Sequence, residues 1–344
     1  PTPLTLPVSG FTRTIPTWYT SPPPGMPSVP VMNEVSSGRE TAVRPGNTPA
    51  PQTYLQPSPE KAVSRPAGPA WPWVRAGGPG ELPSDVPGSP EPILIRGLVA
   101  HWPVVQAALE SPAGVEAYLR RFYSGATVNA VYGKPGEQGR IYYNEDLTGF
   151  NFEAVKSRLD TVLDDIRSQS HSEDPAGVYV GTTPVDTVLP GFRSENDIRL
   201  DVTNPLVSIW LGNRSRIAAH FDQPDNIACC AAGRRRFILF PPGEIANLYP
   251  GPIDKTPAGQ IISMVDFEKP DFEAFPRFRA ALENARVAEL APGDAIWVPS
   301  MWWHHVEGLE ALNVLINYWW NATPAWMDAP ANVLDYALLS LRGL

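Results

Sequence analysis

Cysteine is nearly absent: the 344 residues hold two, Cys229 and Cys230, adjacent in sequence. A disulfide scaffold is thereby excluded, and a thiol-tolerant, cytoplasmic compartment is the expectation. Basic charge is also short, with 27 Lys and Arg against 36 Asp and Glu for a net charge of −9. That balance has the wrong sign for a generic phosphate-backbone binder and disfavours nucleic acid as a partner. No uninterrupted apolar run approaches the roughly 18 residues a membrane span needs, so no membrane partner is expected. Histidine is scarce too, at five.

Proline and apolar residues are plentiful. Of 41 prolines, 21 fall in the first 90 residues, in segments such as Ser21-Pro22-Pro23-Pro24-Gly25 that carry no amphipathic period. Proline fixes φ and removes a backbone donor, so residues 1–75 read as a proline-rich, extended or disordered arm. The 43% hydrophobic share still suffices for a sizeable core, expected over residues 76–325. Within it, Ser111-Pro112 reads as an N-cap with proline at the first helical position, ahead of Val115, Tyr118, Leu119 and Phe122 at helical spacing. Phe152, Val155, Leu159, Val162, Leu163 and Ile166 predict a second helix.

From Gly177 the period changes. Short β-branched and aromatic runs recur at 177–179, 206–211, 227–231, 237–240, 261–265, 295–298 and 314–320, separated by turn signals such as Pro292-Gly293-Asp294. Regularly spaced short strands without interleaved helices predict a mainly β sandwich or barrel. Val333, Leu334, Ala337, Leu338 and Leu341 predict a C-terminal helix within 326–344, a candidate homodimerisation element.

Three of the five histidines fall in two short segments, His220-Phe221-Asp222 and Trp302-Trp303-His304-His305. Residues i and i+2 of a strand share a face, so His220 and Asp222 are expected to point together into a barrel. Two histidines and one carboxylate on one face of a metal favour Fe(II) and leave three positions open. Alone, a His-x-Asp pair is a weak signal that reads better as a structural histidine beside a surface aspartate. The spacing around it is more specific. His220 and Asp222 are followed by Asn226 and Gly233, and downstream Gly293, Pro299 and His304 keep fixed offsets.

These offsets resemble the two motifs of the cupin superfamily. Further segments narrow the resemblance to the JmjC-like branch, the 2-oxoglutarate oxygenases: Ala219-His220-Phe221-Asp222, the run from Gly233 to Pro242, Leu248-Tyr249-Pro250, Pro292-Gly293-Asp294 and Asn317-Tyr318-Trp319. Within that branch they are similar to the asparaginyl hydroxylase acting on hypoxia-inducible factor. The resemblance covers roughly residues 90 to 325 and is densest from 205 to 320. It implies a double-stranded β-helix (a jelly-roll, cupin barrel) with flanking α-helices, and Fe(II), 2-oxoglutarate and O2 as cofactor and co-substrates.

Residue by residue, the resemblance implies that His220, Asp222 and His304 are the metal ligands and the catalytic centre. It implies that Arg235 and Tyr179 hold the distal carboxylate of 2-oxoglutarate, with Asn226 and Asn317 near its chelating end. Strand alternation then turns Arg234 and Arg236 away from Arg235, and His305 away from His304. Trp297, Trp302, Trp303, Trp319 and Trp320 are expected to help exclude water. There are departures: Arg214 and Met301 stand where the motifs usually have glycine, and Ile217 where the asparaginyl hydroxylase has a threonine that contributes to the distal carboxylate. Three readings stay open at this point. The chain is an oxygenase that hydroxylates a protein side chain or a small molecule, a metal-dependent cupin enzyme that does not use 2-oxoglutarate, or a non-catalytic metal-binding scaffold.

Overall fold

A computed structural model describes residues 73–75, 78–202, 204–253, 255–257 and 259–321. The proline-rich arm lies outside the described residues except for its last three, which form strand β1 (Trp73–Arg75). The expected C-terminal helix, and with it the dimerisation element, also lies outside them. Among the described residues no helix is long and apolar enough to cross a membrane.

From residue 206 onward the chain deals its strands between two facing sheets. One holds β7 (Leu206–Gly212), β9 (Asp225–Ala232), β12 (Ala295–Val298) and β14 (Asn313–Trp320). The other holds β8 (Ser215–His220), β10 (Arg235–Phe240), β11 (Arg286–Leu290) and β13 (Trp303–Gly308). These eight strands are the expected jelly roll. β2 (Ile93–Arg96), β3 (Thr127–Gly133), β5 (Phe152–Arg158) and β6 (Val178–Pro184) extend the first sheet, and β4 (Arg140–Ile141) the second. The orders are β1-β2-β12-β9-β14-β7-β6-β3-β5 and β11-β10-β13-β8-β4.

Alternation along each strand divides the apolar residues into layers. On the larger sheet, Ile209, Leu211, Ile227, Cys229, Val314 and Ile316 pack outward against α1 (Pro103–Glu110), α2 (Pro112–Phe122) and α3 (Leu159–Gln169) through Val104, Val105, Val115, Leu119, Val162 and Ile166. Ala228, Cys230, Phe237, Leu239, Ile296, Val298, Val306 and Leu315 fill the space between the sheets. The adjacent cysteines therefore point to opposite sides of β9, both buried and free. The start of α2 is as the sequence predicts: Ser111 Oγ accepts from Gly114 N at 3.0 Å, ahead of Pro112.

Two expectations are corrected. The helix predicted from Phe152 to Ile166 begins only at Leu159, because residues 152–158 form β5, paired residue for residue with β3. Leu159, Val162, Leu163 and Ile166 already make a complete buried stripe, whereas Val155 is 42% exposed and contributes nothing to it. The strand predicted at 261–265 is a single bridge between Ser263 and Pro250. Its backbone donors divide between two neighbours, Ser263 N bonding Ala219 O and Met264 N bonding Tyr249 O, so no ladder propagates.

A β-bulge sets up the site. β13 pairs with β8 through His304↔His220 and Val306↔Ile217, so three steps on β8 oppose two on β13. Ile217 packs into the space between the sheets, while Ala218 and Ala219 both pack on the other side. Without the extra residue, His220 would follow the outward side chains. The bulge turns it, and Asp222 two residues later, to the interior.

Candidate metal centre

His220, Asp222 and His304 converge at one end of the barrel, with one ligand atom from each within 4.8 Å of the others. His304 Nε2 lies 3.5 Å from Asp222 Oδ2, and the two imidazole rings are 4.4 Å apart at an angle of 56°. Each ring is held through its other nitrogen. His220 Nδ1 is 2.8 Å from Ala218 O, and His304 Nδ1 is 2.9 Å from Trp302 O. A carbonyl only accepts, so both Nδ1 atoms carry the proton and both Nε2 lone pairs are left for a cation.

The electrostatics agree. Burial and the adjacent His304 imidazole hold His220 down at about 4, so its ring is neutral. Burial pushes the Asp222 carboxyl up, but its close neighbours His304 and His220 outweigh it, and the net shift is downward. A neutral imidazole and an ionised carboxylate are the ligand forms a divalent ion requires. His305 faces the opposite side of the sheet, as alternation predicts, with Nε2 at 3.3 Å from Glu307 Oε1 and its ring against Phe267.

The remaining sequence-predicted residues line the barrel interior. Arg235 shares a face of β10 with Phe237 and Leu239 and is 2% exposed, while Arg236 on the opposite face pairs with Glu289 and Glu307 and Arg234 with Glu310. Leu239 is the register partner of His304, so Arg235 stands four residues deeper, about 13 Å along the strand. Its Nη2 donates to Trp210 O at 3.4 Å, its charge bears on Tyr179, and its Nε has no partner. Among the described residues no carboxylate pairs with it. Burial pushes the Tyr179 hydroxyl up to about 12, with Arg235 pulling the other way, so the phenol is a proton donor. Asn317 accepts from Trp210 Nε1 at 2.6 Å and donates to Asn226 Oδ1 at 3.3 Å. Ile217 brings only hydrocarbon to the same interior.

Three features were not legible in the sequence. Ser208 Oγ and Trp319 Nε1 are buried without partners, and alternation on β7 and β14 puts both on the interior wall with Arg235 Nε. Trp210 is a hydrogen-bonding member of that wall. Gln260 Nε2 donates to Asp222 Oδ1 at 3.0 Å. Of the tryptophans expected to exclude water, Trp302 and Trp319 face the interior; Trp297 and Trp320 pack on the helix side and Trp303 beyond the smaller sheet.

A family model described as a cupin-like domain matches residues 79–325. This chain belongs to that cupin-like family, in its JmjC branch. Lysine-specific demethylase JMJ31 of Arabidopsis thaliana is 32% identical to it over 192 residues, 50% of this chain and 34% of the relative. Lysine-specific demethylase 8 of Danio rerio is 27% identical over 243 residues, 67% of this cupin and 53% of the relative. HSPB1-associated protein 1 of Homo sapiens is 34% identical over 114 residues, 33% of this cupin and 23% of the relative. The chain thus spans about half or less of these curated relatives. The narrower similarity to the asparaginyl hydroxylase rests on the sequence motifs alone.

JmjC cupins use Fe(II), 2-oxoglutarate and O2, and this interior fits them. Its donor set is two imidazoles and a carboxylate, which suits Fe(II) with open positions. A buried guanidinium without a counter-charge is costly unless an anion joins it. Every buried side-chain polar atom without a partner, among the described residues, belongs to the interior wall.

Proposed function

We propose that the protein is an Fe(II)- and 2-oxoglutarate-dependent oxygenase that hydroxylates a protein side chain. The lone buried guanidinium of Arg235, standing below the His220, Asp222 and His304 cluster, is the observation that supports this most. It offers a dicarboxylate an anchor at one end while the other end reaches the metal. Bound Fe(II) supplies the redox centre at which O2 takes four electrons, two from decarboxylation of the keto acid and two from a substrate C–H bond. The balance is C–H, 2-oxoglutarate and O2 giving C–OH, succinate and CO2.

This chain's residues do the positioning. Arg235 grips the distal carboxylate in a fork of parallel hydrogen bonds and Tyr179 donates a further one. Trp210 fixes Asn317, and Asn317 fixes Asn226, so the amides at the chelating end present set faces. Leu239, Val298 and Trp302 keep the interior apolar, which strengthens each polar contact within it.

For the substrate, two relatives bear the name lysine-specific demethylase, which favours a protein side chain over a small metabolite. Ile217 favours a second reading, a metal-dependent cupin that does not use 2-oxoglutarate, since it leaves the distal end one hydroxyl poorer. Succinate release from 2-oxoglutarate with Fe(II) and ascorbate separates the two. The proposal expects turnover by the wild type and its loss in Arg235→Ala; a wild type that never consumes the keto acid contradicts it. Mass spectrometry of peptides against small metabolites then reads the substrate, a gain of one oxygen on a metabolite alone being the contrary result.

A further inference from the structure

The metal cluster is touched by a segment that supplies no ligand to it. Past a 3-10 turn (Pro242–Asn247) the chain leaves at Pro250 and returns at Ser263, the two bridged antiparallel. Gly251 N donates to Ile262 O at 2.8 Å, and Met264 N to Tyr249 O at 2.9 Å. The returning arm lies along the end of β8, because Ser263 N donates to Ala219 O at 2.7 Å. Further back along the same arm, Gln260 Nε2 donates to Asp222 Oδ1 at 3.0 Å. Asp222 Oδ2 is the oxygen that faces His304 Nε2, at 3.5 Å. The two carboxylate oxygens therefore have different neighbours.

We propose that Gln260 is a positioning residue for the metal ligand. It occupies Oδ1, keeps Asp222 a one-oxygen ligand through Oδ2, and couples the loop between Pro250 and Ser263 to the metal. The inference rests on the metal-binding part of the function proposed above. Its chemical consequence is a coordination count. A divalent ion held by two imidazoles and one carboxylate oxygen would keep positions open for the keto acid and O2. An Asp222 free to bind through both oxygens would take up one of them.

Gln260 is not what holds the loop. Tyr142 Oη donates to Met264 O at 2.8 Å and Tyr143 Oη to Lys255 O at 2.7 Å, and Ile262 packs in one buried cluster with both tyrosines. Substitution at Gln260 should therefore leave the loop in place and act on Asp222 alone.

The test uses the full chain and Co(II) as the probe, read by its dissociation constant and its d–d absorption. Loss of a group that orients a metal ligand weakens metal binding by about 10- to 100-fold. Gln260→Leu should bind Co(II) that much more weakly and with an altered spectrum, while the melting temperature of the metal-free protein stays that of the wild type. Gln260→Glu keeps the shape but puts a carboxylate against Asp222, and should lose more than Gln260→Leu. Wild-type affinity and spectrum in both variants would overturn the proposal. His220→Ala separates this failure from a deeper one: if that variant also keeps Co(II), the metal centre itself is misassigned.

Discussion

Replacing Arg235 with methionine, similar in length and uncharged, should move ligand affinity and stability in opposite directions. The guanidinium is 2% exposed, with a long bond to Trp210 O at 3.4 Å, the Tyr179 hydroxyl beside it and an unpartnered Nε. Removing one partner of a buried charge pair costs about 3–5 kcal/mol. At about 1.4 kcal/mol per tenfold, the dissociation constant for 2-oxoglutarate should rise roughly a hundred- to several-thousand-fold. The ligand-free protein should respond the other way. Exchanging buried charge for a packed apolar side chain is neutral or stabilising by about 1–4 kcal/mol, which raises melting by roughly 2–4 °C per kcal/mol. Calorimetric titration with 2-oxoglutarate under anaerobic Fe(II), and scanning calorimetry without ligand, read the two effects. If Arg235→Met binds the keto acid like the wild type, or melts several degrees lower without ligand, Arg235 is a structural group and not an anion anchor.

Other expectations are independent of that one. Tyr179, whose pKa is raised to about 12 by burial despite the opposing pull of Arg235, stays protonated from pH 7 to 9. Its contribution to 2-oxoglutarate binding should be flat over that range and fade only as pH approaches the raised value. Tyr179→Phe should weaken binding by roughly 2- to 10-fold, the worth of one hydrogen bond at about 0.5–1.5 kcal/mol; an unchanged dissociation constant would remove it from the site. His304→Ala should abolish metal binding whereas His305→Ala should retain it, as metal analysis of the two purified variants will show. Gly233→Ala should destabilise by at least about 2 kcal/mol in denaturant unfolding. At φ +71° its new Cβ would stand 2.5 Å from both Leu312 O and Asn313 Oδ1, adding overlap to a left-handed backbone cost of about 1–2 kcal/mol; wild-type stability would contradict this.

What the sequence made legible was local periodicity and fixed spacing. Motif spacing singled out His304 and Arg235, and alternation then turned His305 from His304, Arg236 from Arg235 and Cys229 from Cys230, because each pair lies on one strand. The motif glycines Gly233 and Gly293 are at φ +71° and +98°, so their offsets record backbone turns that side chains resist. Met301 takes φ +68° without being glycine, which accounts for the glycine usual at that motif position.

Legibility failed where pairing partners are distant. Residues 152–158 keep helical spacing with the helix that follows, but the free edge of β3 captures them. The bulge at Ala218 and Ala219 has no mark in the sequence, although it aims His220. Gln260 reaches Asp222 only where two segments distant in sequence meet, and Ser208 becomes notable only as a buried atom without a partner.

The central claim, one ferrous ion on His220, Asp222 and His304 with a keto acid anchored by Arg235, is tested most directly by visible absorption under anaerobic conditions. Adding 2-oxoglutarate to the Fe(II)-loaded wild type should produce the metal-to-ligand charge-transfer band of a chelated 2-keto acid. The band should need far more 2-oxoglutarate in Arg235→Met and be absent in His220→Ala and His304→Ala. No band in the wild type at saturating keto acid, or an undiminished band in either histidine variant, would contradict the account.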